Sequence, residues 1–139
     1  MYLIDTNVIS EARKRSKANK GVINFFKMVI HEKTSLFLSV VSIGELRRGI
    51  ELIRHRGDTK QANQLETWLK SLLEEYEDYI LNIDESVAQL WGRLSVPHSE
   101  NTLDKQIAAT ALIYDLTVVS RNLKDFRKTG VRILNPFEN

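Results

Sequence analysis

The feature of this sequence that most constrains its fold is an alternation of short apolar runs with longer amphipathic stretches. The runs of apolar and β-branched residues, each predicted to form a strand, are Tyr2–Ile4, Ser35–Val40, Tyr79–Ile83, Thr117–Val119 and Val131–Leu134. Strands that are separated by helices need crossover connections, and these favour a parallel sheet with helices on both faces. The alternation therefore predicts a three-layer α/β/α domain with a central, mostly parallel sheet.

Helical periodicity fills the stretches between the predicted strands. Apolar residues recur at spacings of three and four over residues 19–32, which is the stripe of an amphipathic helix. Two further stripes, separated by a break at Gly57–Asp58, predict a helical hairpin over residues 42–79. The residues predicted to cap the later helices are Asp84 and either Asn101 or Thr102.

Length and composition predict one compact domain over residues 1–139. At 42% hydrophobic residues, a chain of 139 residues is long enough to bury a single core. The two prolines and six glycines are scattered, so no flexible linker or low-complexity tract divides the chain.

Charge, cysteine content and hydropathy narrow the classes of function. The net charge of +2, from 20 basic and 18 acidic residues, is too balanced for a protein that coats nucleic acid. The absence of cysteine excludes disulfides, thiolate zinc sites and cysteine nucleophiles. We expect a soluble cytoplasmic protein, because no apolar stretch is long enough to span a bilayer and the N-terminus lacks the pattern of a secretory signal.

Carboxylates stand where the first two predicted strands give way to helices. Ligands of parallel α/β sheets bind beyond the carboxyl ends of the strands, so residues at this rim are candidates for a site. Asp5 ends the first strand in "YLIDTNVISEA", a position where an aspartate also serves well as a helix cap. Glu45 lies one turn into the helix after the second strand, where a surface pair with Arg48 explains it at least as well.

Asp104 is predicted to lie on the apolar side of its helix. The apolar residues of "LDKQIAATALIY" that share its face are Ile107, Ala108, Ala111 and Leu112. An acid on that face would be desolvated unless a cation or a hydrogen-bond donor accompanied it. The position favours a functional role over the alternative, a first-turn acid stabilised by the helix dipole.

Polar residues also follow the fourth predicted strand, in "VVSRNLKDF". Ser120, Arg121 and Asn122 fall on the rim of the sheet, and Asp125 follows one turn later. These groups approach Asp5 if the first and fourth strands are neighbours at the switch point, in a doubly wound sheet related to the common order 2-1-3-4-5. A helix cap or a surface acid explains Asp125 equally well.

Several carboxylates in one pocket require a neutralising cation, since they would otherwise repel one another and raise their own pKa values. His31, His55 and His98 are unclustered, and oxygen ligands favour Mg²⁺ or Mn²⁺ over Zn²⁺. Such an ion polarises a phosphoryl oxygen and activates a water for in-line attack. The acids therefore point to phosphodiester hydrolysis.

The chain resembles a known family at four places: "LIDTNVIS", "SVVSIGELRRG", "LDKQIAATALIYDLTVVSRNLKDF" and "GVRILNPF". In this order and at this spacing, they are similar to the PIN-domain ribonucleases, and most closely to the VapC-like toxins of bacterial type II toxin–antitoxin systems. The resemblance extends over nearly the whole chain.

The resemblance implies a set of roles for residues of this sequence. It places Asp5, Glu45 and Asp104 on the acidic triad that holds Mg²⁺ or Mn²⁺, and Asn122 or Asp125 on a fourth, more variable position. It places Thr6 and Ser120 beside the scissile phosphate. Relatives commonly have threonine in place of Ser120 and a hydrophobic residue in place of Gln106. The implied partners are an RNA substrate, a cognate antitoxin and a second copy of the chain.

Basic residues near the predicted rim are candidates for contacts with RNA phosphates. The best placed are Arg47, Arg48 and Arg121, although ordinary solvated surface explains most of the basic residues. The hairpin over residues 42–79, with Trp68, is a candidate clip for a second subunit or an antitoxin, and a core-facing stripe explains it nearly as well.

Other classes of protein match parts of the pattern. A receiver-like phosphoacceptor would have paired acids after the first strand and a lysine after the fifth. A haloacid-dehalogenase-type phosphatase would have an aspartate where Asn7 stands. Two alternatives remain. A catalytically silent binding module would be excluded if the protein cleaved RNA and Asp5→Asn lost that cleavage. An RNA-processing nuclease that is not a toxin would be disfavoured by an antitoxin gene beside the gene for this chain.

Overall fold

A computed structural model describes residues 1–138 as a five-stranded parallel sheet between two layers of helices. The strands are β1 Tyr2–Ile4, β2 Leu36–Ser39, β3 Ile80–Leu81, β4 Thr117–Val119 and β5 Ile133–Leu134. The helices are α1 Thr6–Ala12, α2 Lys20–Glu32, α3 Val40–His55, α4 Thr59–Glu75, α5 Glu85–Leu94, α6 Thr102–Ile113 and α7 Leu123–Arg127. Short 3-10 turns occupy Arg15–Lys17, Glu77–Tyr79 and Pro136–Glu138.

The strand order is β3-β2-β1-β4-β5, and every pairing is parallel. The predicted α/β/α architecture is confirmed. β1 and β4 are neighbours, which is the condition under which the residues after β4 approach Asp5. The order itself differs from the 2-1-3-4-5 arrangement, because both β2 and β3 lie on one side of β1. The chain therefore reverses direction across the sheet between β1 and β4, which makes their carboxyl ends the switch point.

Alternate residues of the central strands enter two separate cores. Ile4 of β1 and Val119 of β4 pack with α1 to α4 on one face, whereas Leu3 and Val118 pack with α6 and α7 on the other. All four side chains are at most 1% exposed. Because strand side chains alternate between faces, burial on both sides explains why these strands are continuous apolar runs.

Local residues set the ends of the helices. Asp84 caps α5 as predicted, since its Oδ1 accepts the Val87 N–H at 2.9 Å. Gly57 stands in the turn between α3 and α4 with φ of +94°, a conformation that favours glycine. Asn101 precedes α6 with φ of +57°, but its side chain does not bond the helix backbone. Within residues 1–138, no helix combines the length and the apolar character needed to cross a membrane.

Candidate active site

Asp5 is both a helix cap and the centre of a hydrogen-bonded cluster at the switch point. It lies between β1 and α1, and its side chain is buried at 3% exposure. Its Oδ1 accepts the Thr6 N–H at 2.8 Å, and its Oδ2 accepts the Ser120 hydroxyl at 2.6 Å and the Asn7 amide at 3.2 Å. Burial raises the pKa of Asp5, and these hydrogen bonds oppose that rise.

Thr6 connects Asp5 to Glu45. Its backbone N–H binds Asp5, and its hydroxyl donates to Glu45 Oε1 at 2.7 Å. Glu45 is half-buried on α3, whose first residues follow β2 at the same edge of the sheet. Burial raises the pKa of Glu45, and the negative charge of Asp5 raises it further, against the Thr6 hydrogen bond. The first two predicted acids are therefore linked through one residue.

Asp104 and Asp125 bring two more negative charges to this edge. Asp104 is half-buried in the first turn of α6, and Asp125 lies on α7. Burial raises the pKa of Asp104 to about 6, with further contributions from the charges of Asp5, Asp125 and Glu45, in that order. Asp125 accepts a hydrogen bond from the Asn101 side chain at 3.5 Å. The structure thus brings all four predicted carboxylates into one electrostatically coupled group.

In the described part of the chain, no basic side chain forms an ion pair with this group of carboxylates. Among residues 1–138, none of the ion pairs shorter than 4 Å includes Asp5, Glu45, Asp104 or Asp125. Over the same range, no three His, Asp or Glu side chains converge closely enough to ligate a metal. The acids are near enough to raise one another's pKa values without being drawn together as ligands. The chemistry of the group, carboxylate oxygens with excess negative charge, is nevertheless that of a site for a hard divalent cation.

The predicted site residues that follow β4 differ in burial. Ser120 is fully buried against Asp5, whereas Arg121 and Asn122 are exposed. The guanidinium of Arg121 stacks on the Phe137 ring at 3.9 Å from its centroid. The backbone N–H of Asn122 donates to Ser120 Oγ at 2.9 Å, and its side chain makes no hydrogen bond within residues 1–138.

Arg47 and Arg48 lie further along α3, and only one of them is free of acidic partners. Arg47 binds Glu66 at 2.7 Å and Glu51 at 3.1 Å, joining α3 to α4. Arg48 is exposed, and its side chain forms no ion pair within the described part of the chain. Of the three arginines predicted to contact phosphates, Arg47 is therefore held by ion pairs within the helical hairpin, whereas Arg48 and Arg121 form no ion pair within the described part of the chain.

Asn7 is the member of the cluster that the sequence did not reveal as a site residue. Its Nδ2 donates to Asp5 Oδ2 and to Ser120 Oγ, and its Oδ1 accepts the Arg121 N–H at 3.1 Å. An asparagine in the first turn of a helix carries no local signal of such contacts, because two of its three partners lie more than 110 positions away.

Comparison with known proteins agrees with this geometry. The model of the PIN domain family matches residues 2–131. The chain belongs to the PIN-domain family. The predicted resemblance is thereby confirmed, and the sheet with its carboxylate edge is the PIN fold.

Individual PIN-domain relatives match over the whole length. Toxin FitB of Neisseria gonorrhoeae is 33% identical over 100% of both chains. VapC ribonuclease Y4jK of Sinorhizobium fredii is 30% identical over 99% of both. The crystal structure of FitAcB from Neisseria gonorrhoeae superposes with a TM-score of 0.84 at 33% identity, again over 100% of both chains.

Proposed function

We propose that this PIN-domain protein is a metal-dependent endoribonuclease that acts in the cytoplasm as the toxin of a toxin–antitoxin pair. The observation that carries the proposal is the coupled group of buried and half-buried carboxylates, which form no ion pair with a basic side chain among residues 1–138. Further support comes from two full-length relatives, one named a toxin and one named a ribonuclease.

Asp5, Glu45 and Asp104 are the residues that would hold Mg²⁺ or Mn²⁺. When bound, the ion supplies Lewis-acid chemistry that polarises a phosphoryl oxygen and lowers the pKa of a water. Asp125 is a better candidate than Asn122 for the fourth site residue, because its charge raises the pKa values of Asp5 and Asp104. Asn122 contributes only a backbone N–H to the described cluster.

Substrate contacts are assigned to exposed groups beside the acids. Arg121 is exposed and its backbone N–H binds Asn7 of the Asp5 cluster, and Arg48 is exposed on the Glu45 helix, so both suit RNA phosphates. Arg47 suits this role less, because two glutamates already bind it. The Thr6 hydroxyl donates its proton to Glu45, so it would have to leave that hydrogen bond to donate to a phosphate oxygen.

A cleavage assay tests the nuclease. The purified protein should cut total cellular RNA in the presence of Mg²⁺ or Mn²⁺ and not in EDTA, and mapping of the new ends should locate the cut sites. Asp5→Asn and Asp104→Asn should each lower the rate by about 100-fold or more, since each removes a charge that holds the ion. Asp78→Asn, at an exposed aspartate outside the site, is the matched control.

The outcome that would contradict the nuclease is clear-cut. Equal cleavage by the wild type and by both site variants would exclude these carboxylates from catalysis. No cleavage by the wild type with either metal ion would leave a binding module as the better description. Expression in a bacterial host tests the toxin: growth arrest that requires Asp104, and that the product of a neighbouring gene relieves, separates a toxin from an RNA-processing enzyme.

A groove between α1, α2 and α4 supports an antitoxin partner. It has a volume of about 430 Å³ and apolar walls that include Ile9, Phe26 and Trp68. Basic residues stand at its edge, where Arg13 lies 5.8 Å from the centre of the Trp68 ring. Ile30 on α2 borders the groove at 76% exposure. Arg13, Arg15 and Lys27 outnumber Glu75 among the charged residues that line the groove, so an amphipathic, acidic segment of the antitoxin matches its apolar walls and net positive charge.

One helix of the hairpin, α4, takes part in the proposed antitoxin contact. α4 supplies Trp68 and Leu72 to the groove, which agrees with the hairpin as a place of antitoxin contact. A homodimer is a separate prediction, which sedimentation of the isolated protein would test.

A further inference from the structure

Asn7 joins the carboxyl ends of β1 and β4 through a single side chain. Its amide nitrogen donates to Asp5 Oδ2 at 3.2 Å and to Ser120 Oγ at 3.3 Å. Its carbonyl oxygen accepts the Arg121 N–H at 3.1 Å. One residue of α1 therefore contacts a predicted metal ligand, a buried hydroxyl and the backbone of a predicted phosphate-binding residue.

The hydroxyl of Ser120 has no capacity left for a substrate. A serine hydroxyl offers one proton and two lone pairs. The proton is donated to Asp5 Oδ2 at 2.6 Å, and the oxygen accepts the Asn122 N–H at 2.9 Å and the Asn7 amide. Ser120 is also 0% exposed. Its contacts thus lie wholly within the protein, although the family resemblance implies a place beside the scissile phosphate.

We propose that Asn7 and Ser120, together the Asn7–Ser120 clamp, are positioning residues that hold the Asp5 carboxylate and the segment Arg121–Asp125 in one fixed relation. The inference rests on the proposed function, since it assigns Asp5 to the metal. Partners that hydrogen-bond a ligating carboxylate fix its orientation, and their loss typically weakens metal binding. The clamp acts on substrate only through Asp5 and through the backbone that carries Arg121.

Calorimetric titration of Mn²⁺ into the full-length protein tests the clamp without any RNA. Asn7→Ala and Ser120→Ala should each weaken Mn²⁺ binding about tenfold. The double variant should be little weaker than either single variant, because the two side chains act as one hydrogen-bonded unit. Ser120→Thr keeps the hydroxyl and should restore near wild-type affinity. Asn24→Ala, at an exposed asparagine of α2, is the matched control.

Two results would overturn the clamp. One is wild-type Mn²⁺ affinity in Asn7→Ala; the other is a double variant weakened about 100-fold, the product of two independent effects. If Ser120→Ala does not fold, Asn7→Ala decides alone, with the NMR resonance of the Arg121 amide as a second readout. A shifted resonance with about tenfold weaker Mn²⁺ binding supports the clamp. The same shift with unchanged Mn²⁺ binding refutes it. A wild type that binds Mn²⁺ but cuts no RNA would refute the proposed function and leave this test intact.

Discussion

Asp104 is a residue whose ionisation opposes folding. Burial and three neighbouring acids raise its pKa from 3.8 to about 6. Between these two pH values the folded chain binds more protons than the unfolded chain, so stability falls as the pH rises through this window. Above pH 6 the full cost of the charge is present. The position on the apolar face of α6, which predicted a desolvated acid, has this measurable consequence.

Asp104→Asn should therefore stabilise the metal-free protein at neutral pH. Because Asp104 is only half-buried, solvent screening reduces the effect to roughly 1 kcal/mol, or a rise of about 3–4 °C in Tm. The gain should be full above pH 6 and vanish toward pH 4. Thermal unfolding in EDTA from pH 4 to pH 8 checks this, with Asp78→Asn as the exposed control. A gain that did not depend on pH would exclude ionisation of Asp104 as its cause.

Individual residues of the site differ in how far the sequence could predict them. Asp5 and Asp104 were predictable, since each stands at a helix start with a strand end or an apolar stripe to mark it. Asn7 was not, because its role depends on Ser120, 113 positions away. The pairing of Arg47 with Glu66 likewise crosses between two helices, and helix periodicity alone does not determine which residues face each other there.

At the scale of elements, α1, α2 and α4 leave a groove between them on the outer side of the core. Their buried residues close the core on one face of the sheet, while the groove between them stays open to solvent. Ile30 combines 76% exposure with a place at the groove edge, so its side chain adds little to folding. An exposed apolar side chain beside such a groove suits an interface.

Ile30→Asp should weaken binding of the antitoxin about tenfold or more without unfolding the protein, because it places a charge against the apolar side of the partner. Calorimetry with the product of a neighbouring gene, as the antitoxin of the proposed function, measures this. Ile113→Asp, at an apolar residue of α6 that is 42% exposed and borders neither groove nor site, is the matched control. Equal losses in both variants, or none in either, would remove the groove from the antitoxin interface.

The elements themselves were largely predictable, and their ends less so. β1 and β4 have the predicted bounds, whereas β2, β3 and β5 are shorter than their apolar runs. Hydrophobicity identifies what is buried, but pairing with a neighbouring strand decides where a strand ends. Asn101 illustrates the same limit: it stands at the predicted cap, yet its side chain donates to Asp125 on α7.

For the whole molecule, strand order matters more than any local pattern. Alternating strands and helices predict a parallel sheet, but many orders satisfy that alternation. The observed order makes β1 the neighbour of both β2 and β4. The carboxylates that follow these strands therefore share one edge, although they are far apart in sequence. Their repulsion is part of the folded state, so a cation bound at this edge, as the proposed function requires, would stabilise the fold.

Divalent metal should stabilise the whole protein by relieving that repulsion. A ligand that binds only the folded state at 100 times its Kd adds about 2.7 kcal/mol to the free energy of unfolding, or roughly 8–11 °C in Tm for a chain of this size. Mn²⁺ should produce this rise in the wild type, and EDTA should reverse it. Asp5→Asn should show little of it, because the variant lacks the most buried carboxylate of the group. An equal rise in wild type and variant would place the stabilising ion elsewhere, and no rise in either would refute a folded-state metal site at these acids.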